Sequence, residues 1–168
     1  NRVEAERVVD LVFENIEKYP ERSLGVVAFS VAQQTLIEKL IAKRRQDDTS
    51  KEPFFASDRP EPFFVKNLET VQGDERDIII FSIGYAENSD GKVYTSFGSL
   101  SAEGGENRLN VAITRAKDTV TISYSDKALC SLVANPESNT YRVYDSIYQD
   151  QHKLYDDLAI FESLLCVI

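Results

Sequence analysis

Methionine and tryptophan are absent from this sequence, histidine occurs once and cysteine twice. Each scarcity removes a class of chemistry. Cys130 and Cys166 are too few for a disulfide scaffold or, by themselves, for a zinc site, so no metal ligands are assigned. With His152 alone, a mechanism that needs a pair of histidines is excluded. No apolar run approaches the ~18 residues of a membrane span, which excludes a transmembrane role. A cytoplasmic protein with two reduced thiols is the expectation. Positive charge is also scarce: 28 acidic residues against 19 basic ones leave a net charge of −9. That balance argues against a domain that coats nucleic acid through its overall charge. The chain opens on Asn1, without an initiator methionine or a signal-peptide pattern. The expectation is a domain that works as part of a longer protein.

What is present reads as globular. Hydrophobic residues make up 42% and charged residues 28% of 168. At this length a single domain buries ~70% of its unfolded surface. Residues 2–19 carry Ala5, Val8, Val9, Val12, Ile16 and Tyr19 at helical spacing, with Glu4 and other charges mostly off that stripe. Pro20 ends the helix. The run 24–29 has the nearly unbroken apolar character of a strand buried on both faces. A second helix is predicted from about 32 to 45, then a loop at 46–62 whose Phe54 and Phe55 dock on the body. Strands follow at 63–68 and 78–84. A Gly/Ser/Asn-rich insertion spans 87–105, a helix 106–117 and a strand 119–124. After them come a short helix at 126–134, a loop at 135–140 and a mostly helical tail from 143 to 165. Helices alternating with short apolar strands predict an α/β domain, a mainly parallel sheet with helices on both faces.

Three blocks carry candidate chemistry. In the first, Ser30 and Gln33 follow a strand, where ligands gather in parallel sheets; the competing reading is that Ser30 caps the next helix. In the second, Asn67 to Asp77 form a polar turn before a buried strand. Gly73 allows the backbone to turn or approach a ligand closely. Gln72 and Glu75 place an amide and a carboxylate at the mouth of the sheet, the carboxylate suited to accept hydrogen bonds from sugar hydroxyls. In the third, Arg108 and Arg115 stand seven positions apart. On a continuous helix they share a face within ~20° and suit bidentate recognition of phosphate. The bland alternative for both is a pair of solvated surface charges.

Taken together, Val71-Gln72-Gly73-Asp74-Glu75-Arg76-Asp77-Ile78-Ile79 and Arg108-Leu109-Asn110-Val111-Ala112-Ile113-Thr114-Arg115-Ala116 resemble motifs V and VI of the second RecA-like domain of superfamily 1 helicases, with Gln33 matching motif IV. The branch most similar is that of the nonsense-mediated-decay and DNA-replication helicase/nucleases, in its large bacterial multidomain form. The resemblance covers residues 1–125 and leaves 126–168 as a C-terminal extension. It implies a RecA-like fold and a domain that completes an ATP site, with ATP and Mg2+ held mainly by an upstream RecA-like domain of the same chain. Arg115 then corresponds to the arginine finger at the γ-phosphate, Glu75 to the ribose contact, and Gln72, Gly73 and Arg108 to the nucleotide side. Gln33, Asn110 and Thr114 couple the motifs, and Asn67 with Lys66 would face single-stranded nucleic acid. Three positions depart from the family pattern: Asn67 replaces Thr or Ser, Glu69 replaces Asp, and Ser30 replaces an aromatic residue.

No Gly-x-x-x-x-Gly-Lys-Ser/Thr string occurs, and no strand ends in an Asp-Glu pair that would hold Mg2+. The isolated domain is therefore expected to be inactive, and to be an enzyme only as part of an ATP-hydrolysing helicase. Two other readings compete. One is a catalytically inactive RecA-like scaffold for protein interaction. The other is a nuclease built from Glu61 and Lys66, or from Glu69, Asp74 and Asp77.

Overall fold

The computed structural model describes residues 1–85, 90, 108 and 111–123. The predicted insertion at 87–105, apart from Asp90, the tail beyond 125 and the candidate Asn110 all lie outside the described residues. Helix α1 spans Arg2–Lys18; the Asn1 side chain caps it by accepting the Glu4 N–H at 3.2 Å. Strand β1 (Leu24–Ala28) is buried along its whole length. Helix α2 runs from Val31 to Asp47 behind Ser30, which accepts the Gln33 N–H. A 3-10 segment, Thr49–Phe55, then buries Phe54 and stacks the Phe55 ring 5.8 Å from Phe13 and 5.2 Å from Phe63. The two phenylalanines thus dock as expected. Strands β2 (Phe64–Asn67), β3 (Arg76–Ser82) and β4 (Ala116–Ser123) complete the described chain. Among the described residues no helix is long and apolar enough to cross a membrane.

All pairings in the sheet are parallel and the strand order is β2-β1-β3-β4. Side chains alternate across it, so the register sorts them into two cores. Leu24, Val26, Ala28, Ile78 and Ile80 face α1 and α2. Val27, Phe29, Phe64, Ile79, Phe81 and Val120 face the other way. That second face is covered by Leu68 and Val71 from the β2–β3 connection and by Ala112 and Ile113 from a helical turn. This is the α/β, RecA-like arrangement that the sequence predicts.

One connection is unusual for a parallel sheet, and one element departs from the prediction. Parallel strands are usually joined through a helix, yet β2 and β3 are joined by residues 68–75 alone, which cross the sheet face. The helix predicted at 106–117 also stops early. Residues 111–113 are helical, 114–115 turn, and Ala116 already belongs to β4. The Arg76 N–H donates to the Arg115 carbonyl at 2.9 Å, and Ala116 pairs with Arg76. Sheet pairing therefore overrides the helix-forming residues. Arg115 lies past the helix end, and the argument that it shares a helical face with Arg108 does not hold.

Close approach explains Gly25. A Cβ there would lie 2.4 Å from Cζ of Phe64, the residue opposite on β2. Gly25→Ala is expected to destabilise the domain by about 1–3 kcal/mol, and Phe64→Leu in the same chain should recover part of that loss in urea unfolding. Strictly additive losses would show that the ring contact is not the constraint.

Candidate functional site

The sheet has two polar edges. At the amino edge, the turn before β3 closes with the Asp74 N–H donating to the Val71 carbonyl at 3.2 Å. Gly73 sits at its third position with φ +87, a conformation that disfavours side chains, and nothing lies within 4 Å of where its Cβ would be. Gln72 and Glu75 are exposed beside it. Arg76 is the anchor. It is buried over the Phe64 ring at 4.7 Å, donates through Nε and Nη2 to the Pro62 carbonyl, and through Nη1 to the Glu75 carbonyl at 2.6 Å. The Glu75 backbone is thus fixed while its carboxylate reaches solvent.

Arg115 meets Glu75 at this edge. Its Nη1 lies 3.4 Å from Glu75 Oε1, its Nε donates to the Val111 carbonyl at 2.9 Å, and its Nη2 to the Thr114 hydroxyl at 3.0 Å. Five sequence-predicted residues, Gln72, Gly73, Glu75, Thr114 and Arg115, therefore share one open edge. An exposed carboxylate suited to hydroxyls and a guanidinium suited to phosphate stand side by side there. Arg108 is half-buried in helical conformation upstream of this turn. Lys66 pairs with Asp74 across the crossover, so its charge is neutralised within the domain.

The sequence reading placed Gln72 and Glu75 at the same mouth of the sheet as Ser30. The structure places them at opposite edges, because residues 68–75 traverse the sheet between β2 and β3. At the carboxyl edge Gln33 is only 2% exposed. Its Nε2 donates to the Ser82 hydroxyl at 3.1 Å and to the Asn1 carbonyl at 3.2 Å. Glu4, read from sequence as lying off the apolar stripe, is buried too. Its Oε1 accepts the Ser82 hydroxyl at 2.8 Å and the Gly84 N–H at 2.7 Å. Burial pushes the Glu4 carboxyl above its ordinary range, with those hydrogen bonds opposing the rise. Gln33 is therefore an internal tie between α1, α2 and β3 and does not face a ligand, and Ser30 acts as the helix cap. Asn67 is buried as well. Its Oδ1 accepts the Glu69 and Thr70 N–H groups, and its Nδ2 donates to Gln34 Oε1 at 2.9 Å. A cavity of about 190 Å³ opens beside it, lined by Ser30, Val31, Asn67, Glu69 and Tyr85 among others.

Sequence reasoning missed a further polar hub behind the amino edge. The Ser23 N–H donates to Asp77 Oδ2 at 2.8 Å and the Asp77 N–H donates to Ser23 Oγ at 2.9 Å. The single hydroxyl hydrogen of Ser23 lies between Glu61, at 2.6 Å, and Asp77, at 2.9 Å. Lys117 pairs with Glu61. The Ser23 N–H holds the Asp77 carboxyl below its ordinary range, and Lys117 does the same for Glu61. These partners are far apart in sequence, and no local signal joins them. Of the acids considered as nuclease ligands, Glu61, Asp74 and Asp77 are thus committed to protein donors. Among the described residues, no group of three or more His, Cys, Asp or Glu gathers in a way that could hold a metal ion.

A parallel sheet in the order β2-β1-β3-β4, with two helices on one face and the Glu75–Arg115 pair at its amino edge, defines an α/β domain of RecA-like type. Residues 1–126 match the AAA domain family, and the chain belongs to it. It is also similar to the uncharacterized ATP-dependent helicase MG140 of Mycoplasma genitalium, at 46% identity over 112 residues, 61% of this chain. The MG140 homolog of Mycoplasma pneumoniae is 44% identical over 110 residues, 64% of this chain. The chain spans 9% of the length of each of these relatives.

The Ser23 hub makes stability depend on pH. Folding lowers the pKa of Asp77, so its ionised form contributes stability above the ordinary carboxylate range and loses it as pH falls through the lowered value. Glu4 acts in the opposite sense, its ionised form costing stability as pH rises. Unfolding midpoints between about pH 5 and 2 should fall more steeply for the wild type than for Asp77→Asn. Parallel profiles would remove Asp77 from the account.

Proposed function

We propose that this chain is the second motor domain of an ATP-dependent helicase or translocase of superfamily 1, in the branch of the nonsense-mediated-decay and DNA-replication helicases. In this reading it completes an ATP site whose nucleotide and Mg2+ are held mainly by an upstream RecA-like domain. The observation that carries the reading is the meeting of Glu75 and Arg115 at one open edge of the sheet, 3.4 Å apart. Family membership and the printed names of the Mycoplasma relatives, both ATP-dependent helicases, support it.

Arg115 acts as the finger, placing positive charge where it builds up during phosphoryl transfer, a contribution worth ~10³–10⁵ in rate. Glu75 accepts hydrogen bonds from the ribose. The open space over Gly73 lets the nucleotide come close to the Gln72–Glu75 backbone. Thr114 orients the guanidinium through its hydroxyl, while Arg108 and Asn110 belong to the same motif. Single-stranded nucleic acid is assigned to the carboxyl edge, near Asn67 and the adjoining cavity. Asn67 contributes there by shaping the turn, and Lys66 is already engaged by Asp74. Apart from Glu69 the cavity there is lined by neutral residues, which is compatible with the net charge of −9 because the local field governs strand contact.

Two features favour the second reading, an inactive scaffold for protein interaction. The lysine assigned to nucleic acid is paired within the domain, and the whole chain is acidic.

Steady-state ATP hydrolysis by the full-length protein, with single-stranded DNA or RNA, separates the two. Arg115→Ala is expected to lower kcat by ~10³ or more with its unfolding midpoint unchanged. Near-normal turnover in the variant would show that Arg115 is structural, and a wild type without turnover would favour the scaffold.

A further inference from the structure

Arg115 is already engaged at the edge where it is proposed to act. Two of its contacts, to the Val111 carbonyl and the Thr114 hydroxyl, come from its own helical turn and fold the side chain back. The third, to Glu75, comes from a different element and differs in kind. It is an ion pair at 3.4 Å between a guanidinium that is 19% exposed and a carboxylate that is 52% exposed. The Arg76 guanidinium holds the Glu75 carbonyl, which fixes the backbone and leaves the carboxylate room to swing. The neighbouring acids are committed elsewhere, Asp74 to Lys66, Glu61 to Lys117 and Asp77 to Ser23.

A carboxylate and a phosphate compete for the same guanidinium. With its carboxylate half in solvent, this ion pair is weak enough for a ligand to exchange. We propose that Glu75 is a positioning residue that holds Arg115 back until the ribose hydroxyls draw its carboxylate away, so that the nucleoside half of ATP releases the finger onto the phosphate half. This inference rests on the reading of Arg115 as the finger and Glu75 as the ribose contact. Its consequence is that contact with the sugar, remote from the reacting bond, raises kcat as well as lowering KM.

The experiment compares ATP with 2′,3′-dideoxy-ATP in the full-length protein with saturating single-stranded nucleic acid, for the wild type, Glu75→Gln, Glu75→Ala and Arg115→Ala. In the wild type, kcat is expected to be about two- to fivefold lower with the dideoxy nucleotide, the range for releasing a partly exposed ion pair. In Glu75→Gln the neutral amide no longer holds Arg115. The kcat values for the two nucleotides should then converge on each other, while KM for ATP rises. Glu75→Ala gives the same convergence and serves where the Gln variant does not fold. The inference is overturned if both Glu75 variants raise KM while the kcat ratio between the nucleotides stays at its wild-type value. Arg115→Ala keeps the two readings distinct. If it loses ~10³ or more in kcat while the Glu75 variants shift KM alone, the finger stands and the restraint falls. If it keeps normal turnover, both fall.

Discussion

One hydrogen bond turns sheet register into site geometry. The Arg76 N–H donates to the Arg115 carbonyl at 2.9 Å, and it joins the first residue of β3 to the residue just before β4. Everything at the amino edge depends on that alignment. Ile78 and Ile80 are locked against α1 and α2, and Ile79 and Phe81 against the opposite core. A slip of one residue would send each side chain to the wrong face. Along β3, buried except at Asp77, the pairing with β4 shifts by one residue between Ile78 and Arg76, and the shifted pairing of Arg76 with Ala116 sets Glu75 beside Arg115. The apolar interior follows from the core register, and the charged pair at the surface from the one-residue shift at its end.

Much of this was legible in the sequence, for stated physical reasons. Continuous apolar runs such as Ile78–Phe81 mark strands buried on both sides, and the spacing of Val8, Val12 and Ile16 marks α1. What local pattern could not show was the outcome of long-range pairing. Residues 114–117 contain nothing that stops a helix, yet Ala116 is drawn into the sheet by Arg76. Gln33 and Glu4 read as polar surface groups. They are buried because Ser82 and Gly84, distant in sequence, supply the hydrogen bonds that make burial tolerable. The edge assignment of Gln72 and Glu75 went astray for a similar reason: a crossover without a helix carries the chain from one end of the sheet to the other.

The two edges divide the chemistry. Charge is concentrated at the amino edge, where Arg115, Lys117 and the buried Arg76 are matched by Glu75, Glu61 and Asp74, and Asp74 also pairs with Lys66 of β2. Around the cavity at the carboxyl edge, neutral groups such as Ser30, Asn67 and Tyr85 predominate, with Glu69 the acidic exception. Between them runs β3, with the Glu75–Arg115 pair at one end and the Glu4–Ser82–Gln33 tie at the other. On the proposed reading this is how a domain of modest size can present nucleotide-facing groups and a strand-facing surface without mixing their fields.

The central claim is that Arg115 leaves Glu75 to meet the transferring phosphate. A structure of the full-length protein with ADP, Mg2+ and aluminium fluoride tests this most directly. The account predicts the Arg115 guanidinium within about 3 Å of the fluoride that stands for the γ-phosphate, with Glu75 turned to the ribose. Arg115 still paired with Glu75 and turned away from the nucleotide would contradict it.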